Sequence, residues 1–169
     1  MGKDDFWMWF VTFIGRKGRV KVKEQLGVPV SIDFETVIKD PHGREKISFE
    51  ANGLYYKKDE VTYLIFDENH EDRKVKATMK IGKGEVTIIR NGGVTMRHQY
   101  RVNQTTEGTF SNELGVFQTK AYTKKLQFLV SEGPLKGVLQ LGYKLFVGDE
   151  NAGSYNITVS IKEATIWIH

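Results

Sequence analysis

The chain contains no cysteine, and that one absence removes a disulfide framework, a thiolate zinc site and a cysteine nucleophile together. It is compatible with a reducing compartment, so a cytoplasmic location is expected. Histidine is sparse as well: His42, His70, His98 and His169 are scattered, and none has a partner at the short spacings of a metal pair. The sequence therefore predicts no metal and no cofactor. No serine or carboxylate is tied by spacing to any histidine, which leaves a nucleophilic triad without support. No apolar run approaches the roughly 20 residues needed to span a bilayer.

Charge of one sign is missing from most of the chain. The formal net charge is +4, which by itself would suggest a nucleic-acid partner. Its location argues otherwise. Residues 1–23 hold Lys3, Arg16, Lys17, Arg19, Lys21 and Lys23 against Asp4 and Asp5, whereas residues 24–169 hold 19 basic and 19 acidic side chains. The body is formally neutral, and no nucleic acid is expected on this arithmetic.

What is present begins with an abrupt N-terminal segment. Residues 6–15, FWMWFVTFIG, are nearly continuous apolar and precede the basic run. A secretory signal would place the basic cluster first, so that reading is rejected. Two readings remain. Aromatic side chains and lysines together would make a peripheral membrane anchor, or the segment is translated upstream message and the chain starts at Val20 or Val22 from a GTG codon. Lys17-Gly18-Arg19 can be encoded by a purine-rich ribosome-binding sequence, and the second reading is preferred on the charge arithmetic and the abrupt change of composition near residue 24. Membrane contact is expected only if residues 1–23 are real.

From residue 28 the dominant period is two, the mark of strands with one buried face. Val28, Val30, Ile32 and Phe34 alternate with Pro29, Ser31, Asp33 and Glu35. Val75, Ala77, Met79 and Ile81 alternate with lysines and a threonine, and Met96, His98 and Tyr100 share a face opposite Arg97, Gln99 and Arg101. Turn chemistry recurs at 40–43 (DPHG), 82–84 (GKG), 91–93 (NGG) and 148–151 (GDEN). Gly53 interrupts a strand and predicts a bulge. The acidic stretch 67–72 lacks the pattern of a calcium loop and reads as a solvated hairpin loop, and 103–113 reads as a polar loop. In the long strand 116–130 the apolar face switches near Lys124 and Lys125, which predicts a bend or bulge. Stretches 60–66 and 85–89 are apolar on both faces and call for a cover from the tail, another loop or a second subunit, which allows a homodimer.

No stretch offers convincing helical periodicity, and hairpin follows hairpin. The expectation is an all-β chain: residues 1–27 as an extension and 28–169 as one antiparallel β-barrel of eight to ten strands, closed so that no sheet edge is left. Gly53-Leu54-Tyr55-Tyr56, the hairpin series from Lys80-Ile81 to Arg90-Asn91-Gly92-Gly93-Val94-Thr95-Met96, and Tyr143 with Val147-Gly148-Asp149-Glu150 resemble the YwiB-like family of small bacterial proteins. That resemblance covers about residues 28–165 and implies a calycin-type, lipocalin-like barrel with no activity attached.

Candidate site residues follow from parity and chemistry. Arg90 shares parity with Val86 and Ile88 and would point inward if theirs is the inner face, where it needs a protein carboxylate, backbone carbonyls at the barrel end, or the carboxylate or phosphate of a ligand. His98 shares the face of Met96 and Tyr100. Tyr56, Tyr63, Tyr100 and Tyr143, with Met79 and Met96, have the chemistry of an apolar cavity whose hydroxyls orient a ligand, or of a filled core. The leading reading is a non-catalytic barrel that binds a small, mostly apolar molecule with an anionic head near Arg90. A filled scaffold with a protein-binding surface comes next, and an enzyme using His98 as acid or base last. For the terminus, the intact mass of natively expressed protein is expected to match a start at Val20 or Val22; a mass counted from Met1 would remove the upstream-message reading.

Overall fold

The computed structural model describes residues 27–70 and 73–164. The N-terminal segment 1–26 and the terminal stretch 165–169, with its Ile166-Trp167-Ile168 and His169, lie outside the described residues, as do 71 and 72. Ten strands follow one another: β1 Val28–Asp40, β2 Gly43–Lys58, β3 Val61–His70, β4 Arg73–Gly82, β5 Glu85–Gly92, β6 Thr95–Arg101, β7 Thr105–Asn112, β8 Gly115–Glu132, β9 Leu135–Val147 and β10 Glu150–Glu163. Each pairs antiparallel with the next, and β10 pairs with β1 to close the barrel. No described helix is long and apolar enough to cross a membrane.

Period two decides which side chains go inside. Leu64, Met79, Ile88 and His98 stand opposite one another across β3 to β6, all pointing inward and all nearly inaccessible. Burying one such aliphatic side chain is worth about 1.5–3 kcal/mol, and a one-residue slip would turn a strand's whole apolar set outward. The long registers of β1 with β2 and of β9 with β10 are held by that penalty.

The expected face switch in β8 is a real irregularity. Thr123 pairs with Tyr143 and Lys125 with Gly142, so one extra residue is accommodated between them. Before it Thr119, Ala121 and Thr123 face inward; after it Leu126, Phe128 and Val130 do. Gly53 is different from expectation, since β2 keeps unbroken register with β1 through it, while its pairing with β3 ends at Gly53 opposite Phe66. Its glycine answers a close approach: an added Cβ would sit 2.5 Å from the Ile65 carbonyl oxygen and 2.8 Å from Ile32 Cδ1. A second, unforeseen irregularity lies between Asn151 and Gly153.

Two expected loops are strands instead. Residues 105–112 form β7, whose few apolar residues hid its alternation, and 67–70 continue β3 beyond the apolar stretch. The doubly apolar stretches keep their character, because Ile65 and Ile89 point away from the interior and are still only 1% and 8% exposed. Replacing Gly53 with alanine is expected to cost about 1–3 kcal/mol by overpacking. Urea unfolding measures it; unchanged stability would mean the Ile65 and Ile32 contacts yield freely.

Candidate functional site

The interior is filled unevenly. At the end of the barrel that holds the β2–β3, β4–β5 and β8–β9 turns, Val30, Ile32, Leu64, Ile81, Val86 and Leu139 pack with almost no exposure. Toward the opposite turns the side chains stop meeting. A cavity of about 410 Å³ opens there, between β5 and β6 (Arg90, Met96, His98, Tyr100), β7 and β8 (Phe110, Phe117, Thr119) and β9 and β10 (Tyr143, Leu145, Val147, Tyr155). A second space of about 270 Å³ adjoins it, shares Arg90, Met96, Phe110, Tyr143 and Tyr155, and reaches Phe34, Phe49 and Glu68. The larger is of a size that encloses a small organic molecule.

Five of the expected residues, Arg90, Met96, His98, Tyr100 and Tyr143, come together around this cavity. Three do not. Tyr55 is the residue of β2 that points inward beside Leu64, which sends Tyr56 and Tyr63 to the outer face. There their rings stack at 4.8 Å, with Lys80 Nζ 5.8 Å from the centre of the Tyr63 ring. Met79 does point inward, but it is fully enclosed in the packed core and lines neither of these two spaces.

Arg90 has found a protein carboxylate. Its Nε lies 3.1 Å from Glu68 Oε1 and 3.2 Å from Oε2, and the Glu68 side chain is only 3% exposed. One further guanidinium nitrogen, Nη1, meets among the described residues the Met96 sulfur at 3.2 Å, a weak acceptor. The cation also stands 5.9 Å from the centre of the Phe34 ring. Neither partner could be carried inside alone, because an unpaired buried charge costs several kcal/mol. Glu68 was missed in the sequence because its acidic neighbours read as a loop, although it shares parity with Thr62, Leu64 and Phe66.

An aromatic row crosses the bore. His98 stacks on Tyr100 at 4.6 Å, Tyr100 meets Tyr143 at 4.5 Å, and Tyr143 stacks on Tyr155 at 5.4 Å. Burial pushes the Tyr100 hydroxyl up to about 12, against the smaller opposing effects of its hydrogen bond with Tyr143 and the Arg90 charge. Burial likewise holds Tyr143 well above the ordinary phenol range. The His98 ring is held below its ordinary value by burial, with the Thr106 backbone pulling weakly the other way. At neutral pH all three are uncharged.

His98 Nδ1 lies 3.0 Å from Thr119 Oγ1. The bond crosses β7 at Gly108, which stands in register between the two, and a Cβ there would strike the imidazole. Nε2 has no hydrogen-bond partner among the described residues, so no carboxylate orients the ring as a triad would require. Phe110, Phe117, Thr119 and Tyr155 were not foreseen as site residues; parity with Ile157 and Val159 was the available signal for Tyr155 alone.

Residues 32–159 match the family described as a domain of unknown function, DUF1934. The chain is 31% identical over 137 residues to the "Uncharacterized beta-barrel protein YwiB" of Bacillus subtilis (strain 168), covering 81% of this chain and 95% of that protein. A crystal structure of the B. subtilis YwiB protein superposes with a TM-score of 0.75 at 28% identity, over 85% of this chain and 98% of the other.

The ion pair makes a double-mutant prediction. Arg90→Met alone takes the Arg90 cation away from the buried Glu68 carboxylate and is expected to cost about 3–5 kcal/mol, whereas Glu68→Met with Arg90→Met should recover most of it. Urea unfolding of both single variants and the double variant reads the coupling; strictly additive losses would show that the two charges are independently solvated.

Proposed function

This chain belongs to the DUF1934 family, that of the YwiB β-barrel protein, and we propose that it is a non-catalytic binding barrel holding one small, uncharged, largely apolar molecule in its hollow half. The observation that carries this reading is a cavity of about 410 Å³ with apolar and aromatic walls and no uncompensated charge. It would act in the manner of a lipocalin-like, calycin-type barrel, as a bacterial cytoplasmic carrier or sensor of its ligand.

The anionic head expected at Arg90 gives way here to a neutral one. Glu68 already neutralises the guanidinium, so a ligand carboxylate would add an unpaired negative charge to a largely desolvated site. A carbonyl or hydroxyl carries no such penalty. It could accept from Arg90 in place of the Met96 sulfur, a poor acceptor, while the phenols of Tyr100, Tyr143 and Tyr155 orient it. The rival scaffold reading needs a filled interior. The enzymatic reading needs a partner for His98 beyond Thr119 and a polarised group for it to act on.

Two fluorescent dyes of nearly the same shape test this proposal. Neutral N-phenyl-naphthylamine is expected to bind with fluorescence enhancement, and anilinonaphthalene sulfonate at least about tenfold more weakly because of its charge. Leu145→Trp, which fills the cavity from β9, should abolish binding of the neutral dye without lowering stability. Dye binding that survives Leu145→Trp would place it elsewhere, and no binding together with ligand-free native mass spectra of gently purified protein would end the carrier reading.

A further inference from the structure

The neutral charge sum of the body conceals a segregation that the fold creates. Along β8, β9 and β10 the outward positions, with the extra residue of β8, carry Lys120, Lys124, Lys125, Lys136, Lys144 and Lys162. The same outward positions carry no aspartate or glutamate. None of the six lysines makes an ion pair with a described carboxylate, unlike Lys46 with Glu35 or Lys57 with Glu132 on other parts of the barrel. The nearest acids stand at the margins: Glu107 opposite Lys120 on β7, Asp149 and Glu150 at the β9–β10 turn, Glu163 beside Lys162 at the end of β10, Asp33 and Glu35 of β1 opposite Ser160 and Thr158, and the already paired Glu132.

Two aromatic rings are set among these cations. Tyr122 stands opposite Lys144, and Phe146 opposite Lys120, so each ring has an ammonium group as its cross-strand neighbour. Both rings are half-buried. Next along the same face Gln127 is paired with Gln140, neutral amides that both donate and accept hydrogen bonds. Between them Gly142 has no side chain, and an added Cβ would lie 2.9 Å from Asn156 Oδ1.

We propose that the outer face of β8–β10 binds single-stranded nucleic acid. Lysines not engaged in ion pairs attract the phosphate backbone, the rings of Tyr122 and Phe146 offer stacking surfaces, and the carboxamides meet base edges. A lipid surface shares the charge requirement and could take the rings, but it offers no base edge for the paired carboxamides of Gln127 and Gln140 to meet. The face lies outside the barrel and is independent of the cavity, so it stands or falls separately from the carrier reading.

Fluorescence anisotropy of labelled oligo-dT and oligo-U of about 20 nucleotides, with the full 169-residue chain, tests the proposal. Binding is expected at about 50 mM salt and to weaken steeply by about 200 mM. Lys120→Gln with Lys125→Gln and Lys144→Gln should weaken it about tenfold or more. Tyr122→Leu should weaken it several-fold, with Tyr122→Phe restoring it. Substituting Lys39, Lys46 and Lys58 by glutamine on β1 and β2 should leave it unchanged, as should neutralising Arg16, Lys17, Arg19, Lys21 and Lys23. Absence of binding at low salt, loss confined to the N-terminal variant, or equal loss from the β1–β2 set overturns the inference. So does lysine-dependent binding to phosphatidylserine vesicles without oligonucleotide binding. Unchanged thermal unfolding in the glutamine variants separates lost contacts from lost fold.

Discussion

Closing ten antiparallel strands on themselves sets the bore of this molecule, and most of what has been described follows from that bore. Barrel diameter grows with strand number, and about eight strands already enclose an interior that side chains just fill. Ten give more room than the available residues occupy. Bulky aliphatic side chains close one half, where Leu126, Phe128 and Val130 of β8 face Leu139 and Leu141 of β9. In the other half β7 and β8 offer Gly108, Thr119 and Ala121, and the space persists. The cavity is thus a matter of residue volume set against a fixed circumference.

An enclosed space with a cation in its wall would select anions, and Glu68 changes that. By pairing with Arg90 it converts the strongest charge near the cavity into a polar but neutral group. The phenols and the imidazole remain uncharged because burial opposes their ionised forms. The hollow half therefore differs from the packed half in volume and hydrogen-bonding capacity far more than in electrostatic potential. The potential is displaced to the outer surface, where strand parity sorts lysines of β8–β10 away from the carboxylates of the remaining strands.

How much of this could be read from the sequence depended on whether the information was local. Alternation along one strand is local, so the barrel, the shared face of Arg90 with Val86 and Ile88 and of His98 with Tyr100, and the face switch beside Lys125 were all legible, whereas which of those faces is the inner one was not. Glu68 was not, because its reason for being buried lies two strands away on β5, and its own neighbourhood has the composition of a loop. Tyr56 and Tyr63 misled for the converse reason: tyrosine suits either face, and only the register placing Tyr55 beside Leu64 decides between them. β7 was hidden because Thr105, Thr106, Glu107 and Gly108 carry almost no apolar contrast. Charge segregation was invisible in principle to a sum over the chain, since it depends on which strands become neighbours.

The extra residue in β8 has a further consequence. Elsewhere in a β-strand, losing one residue exchanges inside for outside along everything that follows. Between Thr123 and Lys125 the pairing already skips one position, so removing Lys124 would leave Thr123 and Leu126 facing inward with regular alternation between them. β8 can therefore shorten by a residue at this place without turning its lysines into the core or its leucine and phenylalanine into water. Among the positions of that strand, this is where a change in chain length is compatible with an unchanged barrel.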